Sequence, residues 1–337
     1  MSVFIIAEVG INHNGDMELA KKMIEEAKKA GADCVKFQTF KAEEFVSDPT
    51  QTYTYKSQGK EITESMLEMF KRYEFTKEQW TEIVNYCGEM NIVFNSTAQN
   101  VSDLKFLEDI TTLPFIKVGS DDLTNLALIR TYALKNLPMI ISAGMAYAYE
   151  IEDAVRTIKE SGNNDITVLH CISSYPTEST EVNLTKIPVI KKAFNVKVGF
   201  SDHTMGSAAA VGSVCFGASV IEKHFTLDNN LPGPDHWFSI NPVELKQYIN
   251  DIRFIENALG EPELKPTPKE IKMRKVMQRQ IVYSLDIAKN TLLKECDFEF
   301  KRVEGDGVIP KNLNFLLART LKKDIKKGAI VLLEDLY

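Results

Sequence analysis

Over roughly its first 260 residues the chain alternates short, nearly all-apolar runs with amphipathic helical patterns, a rhythm that few folds accept. Eight runs are legible: 3–9, 32–38, 92–97, 115–118, 139–142, 166–171, 196–201 and 218–224. Most are apolar on both faces, as strands of a parallel sheet covered by helices must be. Between them, Asp16 is placed to cap a helix with Leu19, Met23, Ala27 and Ala30 on one face, stopped by Gly31. After the last run, Asn241-Pro242 opens a helix carrying Leu245, Ile249, Ile252 and Ile255 and closed by Gly260. This order predicts an α/β chain closed into a (β/α)8 TIM barrel. An open doubly wound sheet is the alternative, but no G-x-G-x-x-G follows the first run.

Two stretches break the rhythm. The connection 41–74 is too long for an ordinary strand-to-helix loop and predicts a lid with a short helix of its own. The Pro-rich, charged stretch beginning Glu261-Pro262 ends the barrel. Domain bounds follow as 1–262 for the barrel, 263–279 for a linker and 280–337 for a small, mostly β domain. Within the last, Asp286-Ile287 and Asp324-Ile325 open two loosely similar segments.

Composition narrows the function classes. A net charge of −7 with no basic stripe argues against nucleic acid as the main partner. No apolar run reaches the roughly 18 residues a membrane span needs, and the first residues lack a signal-peptide pattern. Five scattered cysteines form neither a disulfide framework nor a thiolate metal site, which fits a reducing cytoplasm.

TIM-barrel active sites are built at the carboxyl ends of the strands, and here nearly every run ends in polar residues. The first ends at Glu8 and continues into Asn12-His13, and the second carries Lys36 and Gln38 on one face. Others end in Thr97, in Lys117 followed by Ser120, Asp121 and Asp122, in Ser142, and in His170 followed by Ser173 and Tyr175. The last two end Ser201-Asp202-His203 and Glu222-Lys223-His224. Each charge buried without a partner costs several kcal/mol, so packing alone does not account for such a set. His203 and His224 end adjacent strands, where their imidazoles converge as ligands for Mn²⁺, Zn²⁺ or a related ion; hydrogen-bonded core histidines are the other reading. Lys36 and Lys117, ringed by Thr97, Ser120, Ser142 and Ser201, suit phosphate and carboxylate oxygens, or else pair with Glu8 or Glu222. His170 fits packing as well as the site. His13 and His236 read as surface turn residues.

The segments Ile5–Gly15 (IIAEVGINHNG), VKFQT at 35–39, KVGS at 117–120, GFSDHT at 199–204 and EKHFT at 222–226 resemble the nonulosonate synthases, the family of sialic, legionaminic and pseudaminic acid synthases. The resemblance covers nearly the whole chain. It implies a TIM barrel followed by an antifreeze-like (SAF) domain, in a domain-swapped homodimer. The implied reaction condenses phosphoenolpyruvate with an open-chain N-acyl amino sugar, giving a nine-carbon acid plus phosphate by C–O cleavage. By resemblance, His203 and His224 hold a divalent metal, Mn²⁺ with Mg²⁺ or Co²⁺ as substitutes. Lys36, Thr97, Lys117, Ser120, Ser142, Ser173 and Ser201 surround phosphoenolpyruvate, while Glu8, Gln38, Asp122, Tyr175 and Asp235 face the sugar. Arg302 reaches the sugar's N-acyl group from the partner subunit, and Glu8, Glu222 and Lys117 carry the catalytic roles. A divalent-metal pyruvate aldolase on the same barrel is the rival reading. The sequence departs from the sialic acid pattern at Asp122, where glutamate is usual, at Ser173, and in the lid at 55–58. The shorter Asp122 is therefore expected to favour 2,4-diacetamido-2,4,6-trideoxymannose over N-acetylmannosamine.

Overall fold

Eight parallel strands form the centre of the first part of the chain, and their order fixes where any site can lie. They are β1 (Phe4–Gly10), β2 (Cys34–Thr39), β3 (Val93–Ala98), β4 (Ile116–Val118), β5 (Met139–Ser142), β6 (Ile166–Cys171), β7 (Lys197–Asp202) and β8 (Val220–His224). In this computed structural model, which describes residues 2–337, they hydrogen-bond in the order β3-β2-β1-β8-β7-β6-β5-β4. With helices alternating outside, this is a nearly closed (β/α)8 barrel. The seam between β3 and β4 is crossed by Asn95 Nδ2, which donates to the Phe115 carbonyl at 2.7 Å.

Side chains inside such a barrel stack in layers, because alternate residues of each strand point inward. The lowest layer is apolar, with Ile6, Cys34, Phe115, Ile140, Leu169 and Val220 clustered and buried. Outward-facing residues such as Ile5, Val35, Phe37 and Ile141 join the larger core under the helices. The helix Met17–Ala30 buries Met23, Ala27 and Ala30 as the periodicity predicts, with Asp16 accepting from the backbone of Glu18 and Leu19. Gly31 ends it at φ 99°, a left-handed turn. Pro242–Leu259 buries Leu245, Ile249 and Ile252 and is capped by Asn241.

The connection 41–74 holds more structure than the expected single helix. A turn of helix, Ala42–Phe45, is followed by an antiparallel hairpin, Thr52–Ser57 with Lys60–Ser65, and then by a helix, Met66–Lys71. Gln58 and Gly59 turn the hairpin at φ 49° and 74°, the positive pair a two-residue loop requires. The hairpin is docked on the loop after β8. Gln58 Nε2 donates to the Asn230 carbonyl at 2.9 Å, Gly233 N donates to Ser57 Oγ at 3.1 Å, and Lys56 sits 4.6 Å over the Trp237 ring.

The chain divides into two compact units, the first ending at Gly260 and the second spanning Glu261–Tyr337. The stretch read as a linker contains a helix, Pro268–Met277, capped by Thr267 and burying none of its side chains. Beyond it, Gln280–Tyr283 pairs antiparallel with Phe298–Lys301 over a small core including Ile281, Tyr283, Leu293 and Leu321. The two similar segments turn out to be mutual partners. Ile287 and Ile325 exchange backbone hydrogen bonds at 2.9 and 2.8 Å. Asp286 accepts from Lys327 N at 2.8 Å while Asp324 accepts from Lys289 N at 2.7 Å. Among the described residues no helix is long and apolar enough to cross a membrane.

Candidate active site

Two residues above the apolar layer five of the strands change character. Glu8 follows Ile6, Lys36 follows Cys34, Lys117 follows Phe115, Ser142 follows Ile140, and Glu222 follows Val220. These groups line a cavity of about 350 Å³ at the carboxyl end of the barrel. All are nearly fully buried, so their charges must answer one another. Lys36 Nζ lies 2.6 Å from Glu8 and 3.6 Å from Glu222, and donates to Thr97 Oγ1 at 2.8 Å. Lys117 Nζ lies 3.7 Å from Glu222 and donates to Ser142 Oγ at 2.8 Å. Ser201 Oγ donates to Glu222 at 3.0 Å. Both outcomes weighed for the lysines therefore hold together: they face the cavity and they pair with its glutamates.

The two carboxylates are driven apart. Burial pushes the Glu8 carboxyl up, partly offset by Lys36 and reinforced by Glu222. Burial would raise Glu222 too, but the ammoniums of Lys117 and Lys36 outweigh it and hold that carboxyl below its usual range. Burial also opposes the charge on Lys36, which Glu222 and Glu8 more than restore. With Glu222 ionised, two ammoniums face one carboxylate whenever Glu8 takes up its proton. The cluster then has an excess positive charge suited to an anion.

One layer higher stand Gln38, Ser173, His203 and His224. The imidazole centroids of His203 and His224 are 5.5 Å apart, with the Tyr175 ring 4.1 Å from the first and 5.8 Å from the second. His203 Nδ1 is 2.7 Å from the Ile172 carbonyl, so it carries the proton and leaves Nε2 with a free lone pair. His224 Nδ1 is buried without a hydrogen-bond partner, 3.9 Å from Asp235. Burial lowers both imidazoles, His224 furthest, so both are neutral. Two neutral imidazoles, one orphaned, fit a divalent cation of intermediate softness. Among the described residues no group of three or more His, Cys, Asp or Glu side chains is arranged to hold a metal.

Backbone geometry opens space at two glycines. Gly10 turns at φ +54°, and a Cβ there would come within 3.4 Å of Glu8, 3.5 Å of Gln38 and 3.9 Å of Asp235. At Gly144 a Cβ would collide with Ser173 Oγ at 2.4 Å and Ser120 Oγ at 2.7 Å; instead its N–H donates to Ser120 Oγ at 3.0 Å.

Three further expected site residues have these surroundings. Asp122 accepts from Asn125 Nδ2 at 3.1 Å beside the start of the next helix, and Asp121 lines the cavity in its place. Asp235 lies 3.9 Å from His224 Nδ1 and borders the same space at Gly10 as Glu8 and Gln38. Arg302 follows the strand Phe298–Lys301 of the second unit, exposed. The other histidines are structural. His170 Nε2 meets the Val182 carbonyl at 2.6 Å. His13 and His236 are buried, not on surface turns: His13 stacks on Phe75 at 4.3 Å, and His236 bonds Thr226 at 2.6 Å and Asn14 at 3.2 Å. The wall also includes Gln99, Met145 and Cys171, and an aromatic group of Phe40, Phe45 and Phe70 that sequence reading passed over.

Comparisons with known proteins match this arrangement at both levels. The NeuB family model matches residues 23–263 and the SAF domain model residues 278–336. An N,N'-diacetyllegionaminic acid synthase of Legionella pneumophila is 35% identical over 340 residues, covering 100% of this chain and 95% of the relative. One from Campylobacter jejuni is 37% identical over 329 residues, covering 97% and 98%. The crystal structure of an N-acetylneuraminic acid (sialic acid) synthetase from Leptospira borgpetersenii superposes with a TM-score of 0.72 at 34% identity, covering 82% of this chain and 93% of that one. With the family model spanning most of the barrel and relatives above 30% identity along nearly the whole length, the chain belongs to the NeuB family and ends in a SAF domain.

Proposed function

We propose that this chain is an enzyme that condenses phosphoenolpyruvate with the open-chain form of an N-acyl amino sugar, releasing phosphate and a nonulosonic acid. The observation that carries the reading is the buried Lys36–Glu222–Lys117 cluster with its hydroxyls, set one layer beneath two neutral histidines in a single cavity. Relatives named as legionaminic and sialic acid synthases support it.

On this reading Lys36 and Lys117, with Thr97, Ser142, Ser120, Ser173 and Ser201, hold the phosphate and carboxylate oxygens. The methylene carbon of phosphoenolpyruvate bonds to the aldehyde carbon, whose oxygen gains a proton. Water adds at the former enol carbon and loses a proton. The C–O bond to phosphorus-bearing oxygen then breaks, leaving a keto acid and inorganic phosphate. Glu8, kept protonated by burial, is placed to give a proton, while ionised Glu222 accepts from Ser201 and anchors both lysines. A divalent ion held by His203 and His224, Mn²⁺ or else Mg²⁺ or Co²⁺, would supply Lewis-acid polarisation of the aldehyde oxygen. We expect a homodimer in the cytoplasm, with Arg302 serving the sugar.

The rival metal-dependent pyruvate aldolase does not need two lysines and a ring of hydroxyls for phosphate. Phosphoenolpyruvate labelled with ¹⁸O at the bridging position separates the two. Labelled phosphate released in step with product supports the synthase; turnover of pyruvate with no phosphate requirement refutes it.

A further inference from the structure

We infer that Phe40, Phe45 and Phe70 form a subsite that selects amino sugars carrying a methyl group, rather than a hydroxymethyl or phosphorylated group, at C6. The inference rests on the condensation proposed above and assigns its sugar specificity to the lid.

Strand β2 acts as a ruler through the cavity. Cys34 lies in the apolar layer, Lys36 in the charged cluster and Gln38 beside the histidines, and Phe40, just past the strand's end at Thr39, lines the same cavity. Each two-residue step rises about 6.6 Å. The aldehyde must meet the phosphoenolpyruvate carbon near the lysines, so the sugar's C1 lies deep and its other end points outward. A six-carbon chain with bonds of about 1.5 Å spans roughly 6 Å when extended, about one such step, so a C1 held above the lysines beside the histidines puts C6 beyond Gln38, on the side where the chain runs on to Phe40.

What waits there is three rings. Phe40 and Phe70 meet edge to face at 5.1 Å, as do Phe45 and Phe70, and Phe40 stacks on Phe45 at 6.2 Å. Phe40 is anchored below by Ile11, Met69 and Tyr73, so the group is fixed from behind. Yet all three rings line the cavity, and Phe45 keeps 39% of its surface exposed. The rings have no donor or acceptor for a hydroxyl. The lysines next to them in sequence are engaged with carboxylates, Lys41 with Glu74 at 3.8 Å and Lys71 with Glu43 at 3.0 Å, so no unpaired ammonium beside the rings calls for a phosphate. A methyl group gains from burial against such a wall, whereas a hydroxyl loses its water without replacement.

The experiment compares kcat/KM for sugars differing only at C6: N-acetylmannosamine, its 6-deoxy analogue and its 6-phosphate, and the matching 6-hydroxy and 6-deoxy pair of 2,4-diacetamido sugars. An apolar pocket discriminates against an added hydroxyl by up to about a hundredfold. The 6-deoxy member of each pair is expected to lead by roughly ten- to a hundredfold, with the 6-phosphate poorest. Phe45→Ser and Phe70→Ser should bring the ratio towards one, while Phe45→Leu, still apolar, keeps it; thermal melts confirm that each variant is folded. Equal values in the unaltered enzyme, or a ratio that neither serine variant moves, overturns the subsite while leaving the condensation standing. Failure to turn over any of these sugars with phosphoenolpyruvate overturns the reaction and the subsite with it.

Discussion

The floor of the cavity and its aromatic wall are built by opposite means. The floor is charged, carried on barrel strands, and held by ion pairs and a hydrogen bond around Glu222. The wall is apolar and comes from the end of β2 and the long connection after it, secured by ring contacts and a docked hairpin. Groups that must bear charge in a fixed place sit on the stiffest elements. Groups that sort one sugar from another sit where sequence change is cheapest. Reaction type and substrate choice are thus separable, and mutations should divide accordingly.

Metal loss tests that division with the largest effect. Exhaustive EDTA treatment should abolish turnover and Mn²⁺, Co²⁺ or Mg²⁺ restore it, while His203→Ala and His224→Ala fold normally and stay inactive. Full activity after chelation, with no metal found by elemental analysis, removes the histidines from the chemistry. Next come the lysines. Lys117→Met or Lys36→Met should lower kcat/KM about a hundredfold or more, as loss of a preorganised electrostatic group does. Because either change also leaves Glu222 short of a partner, the matching Glu222→Gln double variant should recover stability but not activity. Activity recovered along with stability makes the cluster structural.

Arg302 sharpens the comparison from outside the barrel. Losing a charge-assisted hydrogen bond to ligand costs about 1.5–3 kcal/mol, or roughly tenfold or more in affinity. Arg302→Ala should raise KM for the sugar by that factor and leave KM for phosphoenolpyruvate nearly unmoved. Mixing it with His224→Ala under subunit exchange should regain activity if a dimer partner supplies the arginine. No recovery places its action within one chain.

The same contrast explains what was legible in the sequence. On the strands a two-residue period fixes which side chains share a layer, so Glu8, Lys36, Lys117, Ser142, Ser201 and Glu222 could be grouped before any coordinates. Beyond the strand ends that period fails. β4 stops at Val118, and in the turn after it Asp121 lines the cavity while Asp122 accepts from Asn125 Nδ2 at 3.1 Å, an arrangement that strand spacing does not foretell. Phe40, Phe45 and Phe70 were invisible for another reason: apolar residues in a loop look like ordinary packing until a cavity is seen against them. His13 and His236 were misjudged because nothing local announces that a loop after β1 will be buried under the loop after β8. The hairpin was missed because its alternation is polar on both faces, with Thr54 bonded to Thr63 and Tyr55 to Glu64.

The smallest expected effect concerns the proton on Glu8. Its folded carboxyl is raised from the ordinary value of 4.5 to about 7, mainly by burial. Between those values the folded protein keeps a proton that the unfolded chain has released. The native state therefore binds more protons, and stability must fall as pH rises through that window. Glu222 acts in the opposite sense, but its depressed value places its window below 4.5, where the two do not overlap. In metal-free protein the difference in Tm between the unaltered chain and Glu8→Gln should drift against the unaltered chain from pH 5 to pH 8. The drift should amount to several degrees, since each kcal/mol moves a large domain by about 2–4 °C. The Glu222 charge adds to burial in raising Glu8, so Glu222→Gln should narrow the drift rather than abolish it. A difference that stays flat, or that moves in favour of the unaltered chain at high pH, means Glu8 is ionised throughout. The proton for the aldehyde oxygen would then have to come from another group.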